Sequence, residues 1–107
     1  MHKQTKAVDV PPAVKRAVWE RDGRRCVLCG SFRDAAPNAH VIPRSQGGLG
    51  VEENIVTLCL ACHDRYDNGE GRAYTREELT AYLREKYPDW SEEGLRYRKY
   101  RGKEEEA

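Results

Sequence analysis

Four cysteines in two Cys-x-x-Cys pairs, Cys26/Cys29 and Cys59/Cys62, carry the strongest chemical signal in the chain. Two thiolates separated by two residues around a tight turn meet one ion, and a second pair completes a tetrahedral set, the arrangement that holds zinc for structure. Between and just beyond the pairs stand His40, Asn54, His63 and Asp67. His63 and Asp67 are four apart on a segment of helical composition and so share a face, which suits a second, open metal site. His40 ends a short apolar run. Read alone it is either a half-buried residue bonded to backbone or a base, since a free imidazole titrates near pH 6.5 and can take a proton from water at neutral pH. Arg44, Ser45 and Gln46 follow, then Gly47 and Gly48, a loop suited to gripping phosphate or simply to turning the chain.

These residues need elements to hold them. Ala39, Val41 and Ile42 flank His40 as a β-prone run that Pro43 ends, because proline has no amide for a sheet ladder. Residues 44–53 hold three glycines and read as a broad turn, with Asn54 at its exit. Ile55, Val56, Thr57 and Leu58 form a second strand. A helix is expected from Leu60 to the Asn68 and Gly69 stop signal. Upstream, Pro11 and Pro12 suit a first helical turn, and Val14, Ala17 and Val18 recur at helical spacing, which predicts a helix ending near Arg21. Downstream, Thr75 and Glu78 have capping-box spacing. They predict a helix with Leu79, Tyr82, Leu83 and Tyr87 on its apolar face and Pro88 as its end. A last, less regular helix is expected from Ser91 through Leu95, Tyr97 and Tyr100.

The order His40, Asn54, His63 on strand, loop and helix resembles the HNH nuclease family, whose core is the ββα-metal hairpin and helix. The likeness spans about residues 20–68, through RDGRRCVLCG, AHVIPRSQGG, ENIVTLC and CHDRYD. It implies that His40 is a general base, that Asn54 holds the hairpin loop in shape, and that His63, with Asp67, binds a catalytic divalent ion, Mg²⁺ or Mn²⁺. It also implies DNA as the partner and a role in DNA processing of the phage type, alongside packaging or processing proteins. One position departs from the pattern. The residue before the base histidine is usually acidic or a histidine and ligates the metal, whereas here it is Ala39, and Asn38 is the neighbouring oxygen that can stand in.

The expected fold is α+β. A zinc-stapled ββα-metal core (20–68) sits inside one domain (11–103), flanked by an N-terminal helix and two C-terminal helices, with a flexible arm (1–10) and an acidic tail (104–107). At 107 residues a single core gives modest stability, so a metal staple is fitting. No apolar run approaches the roughly 20 residues of a membrane span, and the first residues lack a secretory apolar segment, so a cytoplasmic protein with reduced cysteines is expected. Net charge is only +1. Its distribution is uneven: residues 1–50 hold nine Lys or Arg against four acids, which makes Arg24, Arg25 and Arg44 candidates for DNA phosphate contact. Two classes of function stay open, a metal-dependent DNA endonuclease and a zinc-stapled DNA-binding or adaptor module without turnover, and Ala39 keeps the second in view.

Overall fold

The computed structural model describes residues 7–69 and 71–97. Its elements in chain order are α1 (Pro12–Arg21), β1 (Ala35–His40), a 3-10 turn (Arg44–Gln46), β2 (Ile55–Cys59), α2 (Leu60–Asn68), α3 (Arg72–Lys86) and a second 3-10 turn (Glu93–Leu95). The fold is α+β, a two-stranded antiparallel sheet with helices around it. Among the described residues no helix is long and apolar enough to cross a membrane.

The sheet carries its information in its register. Ala36 pairs with Leu58 and Ala39 with Val56, so β1 spends three residues where β2 spends two, a bulge at Pro37 and Asn38. Proline is tolerated there because a bulged residue owes no ladder bond. The bulge exposes Asn38, buries Ala39 completely and leaves His40 half-buried. β1 starts earlier than the apolar run alone suggested. Every residue of β2 is buried, and the core gathers Ala39, Val41, Val56 and Leu58 from the hairpin with Cys62 and Tyr66 of α2 and Leu79 and Leu83 of α3.

A buried acid ties the layers together. Asp22, at the end of α1, accepts from Arg21 Nε (2.7 Å), from the Thr57 amide in β2 (2.8 Å) and from the Tyr82 hydroxyl in α3 (2.6 Å). With that many donors the buried carboxylate is compensated.

Three expectations change in the structure. α3 begins at Arg72, not after Thr75, because Gly71 takes the left-handed conformation (φ 79°) and sits at the helix N-cap, so Thr75 already donates its amide to the Gly71 carbonyl. The segment from Ser91 forms only the short turn before Arg96 bridges to Gly48, with Leu49 N bonded to Leu95 O and Tyr97 N to Gly47 O. Tyr100 and the acidic tail lie outside the described residues. Finally, residues 7–10, counted with the arm, lie against the core. Val8 is 4% exposed and Gly50 donates its amide to the Ala7 carbonyl.

Candidate functional site

The four cysteine sulfurs come together because two short turns aim them at one point. In the first, Gly30 at φ 77° returns its amide to the Cys26 carbonyl (2.9 Å), and Val27 donates to Thr57 of β2. In the second, Cys59 is the N-cap of α2. The turns repeat one geometry: Cys29 N donates to Cys26 Sγ (3.5 Å) and Cys62 N to Cys59 Sγ (3.4 Å). All four sulfurs lie within 4.8 Å of one another. Burial raises the Cys26 thiol, but amide donors from the surrounding backbone outweigh it and bring it down to about 7. Cys62, by contrast, is pushed up, first by burial and then by the neighbouring thiols. Four thiols of such opposed tendency crowded together ask for a cation, and the set is a closed metal site of the structural zinc type.

On the other side of Cys62 the chain enters an open cleft. His40 from β1, Asn38 from its bulge, Arg44 and Ser45 from the turn, His63 and Asp67 from α2, Lys15 from α1, and Asp9 all line it. His63 Nε2 stands 3.3 Å from Asp67 Oδ2 across one helical turn. His40 Nε2 stands 2.7 Å from the Val8 carbonyl. Burial lowers the pKa of His40, as do the charges of Arg44 and His63, against the opposing pull of the Val8 and Asn38 backbone. The ring is therefore held in its neutral, proton-accepting form at neutral pH.

Asn54 is completely buried and bridges the hairpin loop with three bonds: Oδ1 accepts from Ile42 N (2.8 Å), and Nδ2 donates to Ile42 O (3.2 Å) and Leu49 O (2.9 Å). The loop leaves no room for anything larger beside it, since a Cβ on Gly48 would fall 1.8 Å from the Ile42 carbonyl oxygen. The bridge sits one step from His40, through the Val41 amide bonded to the Asn54 carbonyl (2.9 Å).

Ala39 does not reach the cleft. Its methyl group packs in the core, while Asn38 beside it faces the cleft. Among the described residues only the cysteines form a cluster of three or more His, Cys, Asp or Glu ligands, so the cleft offers a cation His63, Asp67 and the Asn38 amide oxygen.

The three arginines singled out from charge are divided. Arg44 borders the cleft and is paired with Asp9 (2.7 Å), whereas Arg24 is paired with Glu20 and Arg25 stacks 4.3 Å over the exposed Phe32 ring, both on the turn leading to Cys26. Lys15, Val8 and Asp9 were not anticipated. Each belongs to a segment remote in sequence, and no local spacing marks a residue for a cleft that only the tertiary fold creates.

Comparison with known proteins agrees with this geometry. The HNH endonuclease family model matches residues 26–69, which include both cysteine pairs, His40, Asn54, His63 and Asp67. The chain is also 34% identical over 56 residues to Anaredoxin of Nostoc sp. strain PCC 7120, a stretch covering 52% of this chain and 74% of that protein. The four-cysteine site, the bulged hairpin and the helix behind it are therefore shared features, and the chain belongs to the HNH endonuclease family.

Proposed function

We propose that the chain is a metal-dependent DNA endonuclease, with His40 as general base, His63, Asp67 and Asn38 as holders of a catalytic divalent ion, and the cysteines as holders of a structural zinc. The observation that carries this reading is that a neutral, half-buried imidazole and a His–Asp pair line one open cleft beside a closed metal site. A divalent ion there would supply charge for the scissile phosphate and for the leaving 3′-oxygen. His40 takes the proton from the attacking water. Asn54 keeps the loop rigid so that His40 stays within reach, and Arg44 offers a guanidinium to the phosphate once it leaves Asp9. With one imidazole among oxygen donors, Mn²⁺ should support cleavage better than Mg²⁺.

Arg24 and Arg25 lie outside the cleft and serve duplex contact rather than chemistry. Changing both to Ala should weaken binding to unrelated duplexes alike and flatten its salt dependence.

The test is supercoiled plasmid with the zinc-loaded protein and Mg²⁺ or Mn²⁺. Nicking that disappears in His40→Ala, with zinc content and DNA affinity unchanged, supports the proposal. The competing reading is a DNA-binding or adaptor module, favoured by the core position of Ala39, which leaves the cleft without the usual neighbouring ligand. Binding without cleavage under Mg²⁺, Mn²⁺, Ni²⁺ or Zn²⁺ would select it.

A further inference from the structure

We infer that residues 7–10 form a strap belonging to the cleft, and that the Val8 carbonyl is a positioning group that fixes which nitrogen of His40 accepts a proton. The inference rests on the reading of His40 as the base.

A carbonyl oxygen only accepts, so at 2.7 Å from the Val8 oxygen His40 Nε2 must carry the hydrogen. In the neutral ring this leaves Nδ1 with the lone pair. The other tautomer would set a lone pair against the Val8 oxygen. The strap thus selects the tautomer and the ring orientation together, as an acceptor behind a functional histidine does.

Independent contacts hold the strap down. The Val8 side chain is buried (4% exposed), and the Ala7 carbonyl accepts from Gly50 N (3.0 Å). Asp9 pairs with Arg44 Nη2 at 2.7 Å, while Arg44 Nη1 reaches the Val8 carbonyl at 3.4 Å. Gly50 is where the strap crosses the hairpin loop: a Cβ there would fall 1.9 Å from the Asp9 carbonyl oxygen and 3.0 Å from that of Val8. These are backbone atoms, so a side chain at position 50 has to displace the strap or the loop. His40, Arg44 and Gly50 all belong to the hairpin or its loop, so one short segment holds the base and the phosphate-facing arginine in a single arrangement.

The experiment is ¹⁵N NMR of the histidine rings in the full, zinc-loaded chain without added Mg²⁺ or Mn²⁺, paired with plasmid-nicking kinetics. In the unaltered protein His40 should show a protonated, slowly exchanging Nε2 and an unprotonated Nδ1. Gly50→Ala should abolish the slow exchange and lower kcat by roughly 10- to 100-fold, the scale of a misplaced catalytic group, with KM for DNA nearly unchanged. If Gly50→Ala fails to fold, as judged by zinc content and circular dichroism, Val8→Gly releases the strap's buried anchor while keeping its carbonyl, and should produce the same loss of slow exchange and of kcat.

An Nδ1–H tautomer in the unaltered protein, as bonding to the Asn38 carbonyl would give, overturns the inference. So does a released strap with unchanged kcat. Slow Nε2 exchange in a protein that cuts no DNA would instead overturn the nuclease reading and leave the tautomer assignment standing.

Discussion

Cys62 and His63 are neighbours in the chain, yet they serve centres built on opposite plans. The four-cysteine site takes its ligands from two four-residue turns and closes on itself, each turn bonding an amide to its own sulfur. The histidine cleft draws on α1, β1, the hairpin loop, α2 and residues 7–10, and it stays open to solvent. A closed thiolate set can only hold structure, whereas an open cleft with spare donors can do chemistry. The difference teaches that one centre can be rigid by itself while the other borrows its rigidity from everything packed around it.

The largest expected effect separates the two. Cys59→Ser removes a ligand and the N-cap of α2 together. A structural zinc contributes about 10–16 kcal/mol of apparent binding free energy in small domains, against a total stability of about 5–15 kcal/mol, so the variant should lose both zinc and cooperative unfolding. Elemental analysis and thermal melts read the outcome. A variant that melts as the unaltered protein does would mean that the cysteines do not staple this fold.

His40→Ala should do the reverse. Removing a general base costs ~10²–10⁴ in rate, while the exchange of a half-buried ring at the cleft edge should leave zinc content and the melting midpoint nearly as they were. If rate and stability fall together, the two centres are one cooperative unit and the contrast between them collapses.

How much of this was readable beforehand follows the same division. The cysteine pairs and the His63–Asp67 face were legible because short spacings on turns and helices fix geometry locally. His40 and Asn54 were legible only through the family resemblance, since neither a lone histidine on an apolar strand nor an asparagine after a glycine-rich turn announces a role. Illegible were Val8, Asp9 and Lys15, whose contacts cross the fold, and Asp22, which reads as a turn residue after a helix but is buried beneath β2. The late start expected for α3 came from trusting a capping box where Gly71 in the left-handed region already sets the helix boundary. The expected last helix failed for a tertiary reason too: Leu95 and Tyr97 exchange backbone bonds with residues 47–49 of the hairpin loop in place of continuing a helix.

Asn54→Ala tests the borrowed rigidity directly. It would leave Ile42 N, Ile42 O and Leu49 O without the partner that now spans the loop, and each unsatisfied buried group costs about 1–3 kcal/mol before relaxation. A loss of about 2–4 kcal/mol is expected in denaturant melts, with a fall in nicking and no loss of zinc. Loss of zinc at the same time would show that the loop also supports the cysteine turns.

The smallest effect concerns the scaffold beneath both centres, where Asp22 holds the Thr57 amide while the Thr57 carbonyl accepts from Val27 of the cysteine turn. Tyr82 donates its hydroxyl to this Asp22, and burial, then the bond to the carboxylate, push its pKa from 10 up to about 12. A raised folded-state pKa means the fold favours the neutral phenol. That contribution is fully present below pH 10 and is lost as pH rises from there through about 12. After discounting for partial solvent access it amounts to roughly 1 kcal/mol. Tyr66 and Tyr87 shift in the same direction, also through burial first, so the unaltered protein should lose stability across this alkaline window and Tyr82→Phe should lose less. Equal slopes for the two proteins in denaturant melts at pH 9 to 11.5 would mean that the phenol does not support the Asp22 node, and that Arg21 and Thr57 hold the carboxylate without it.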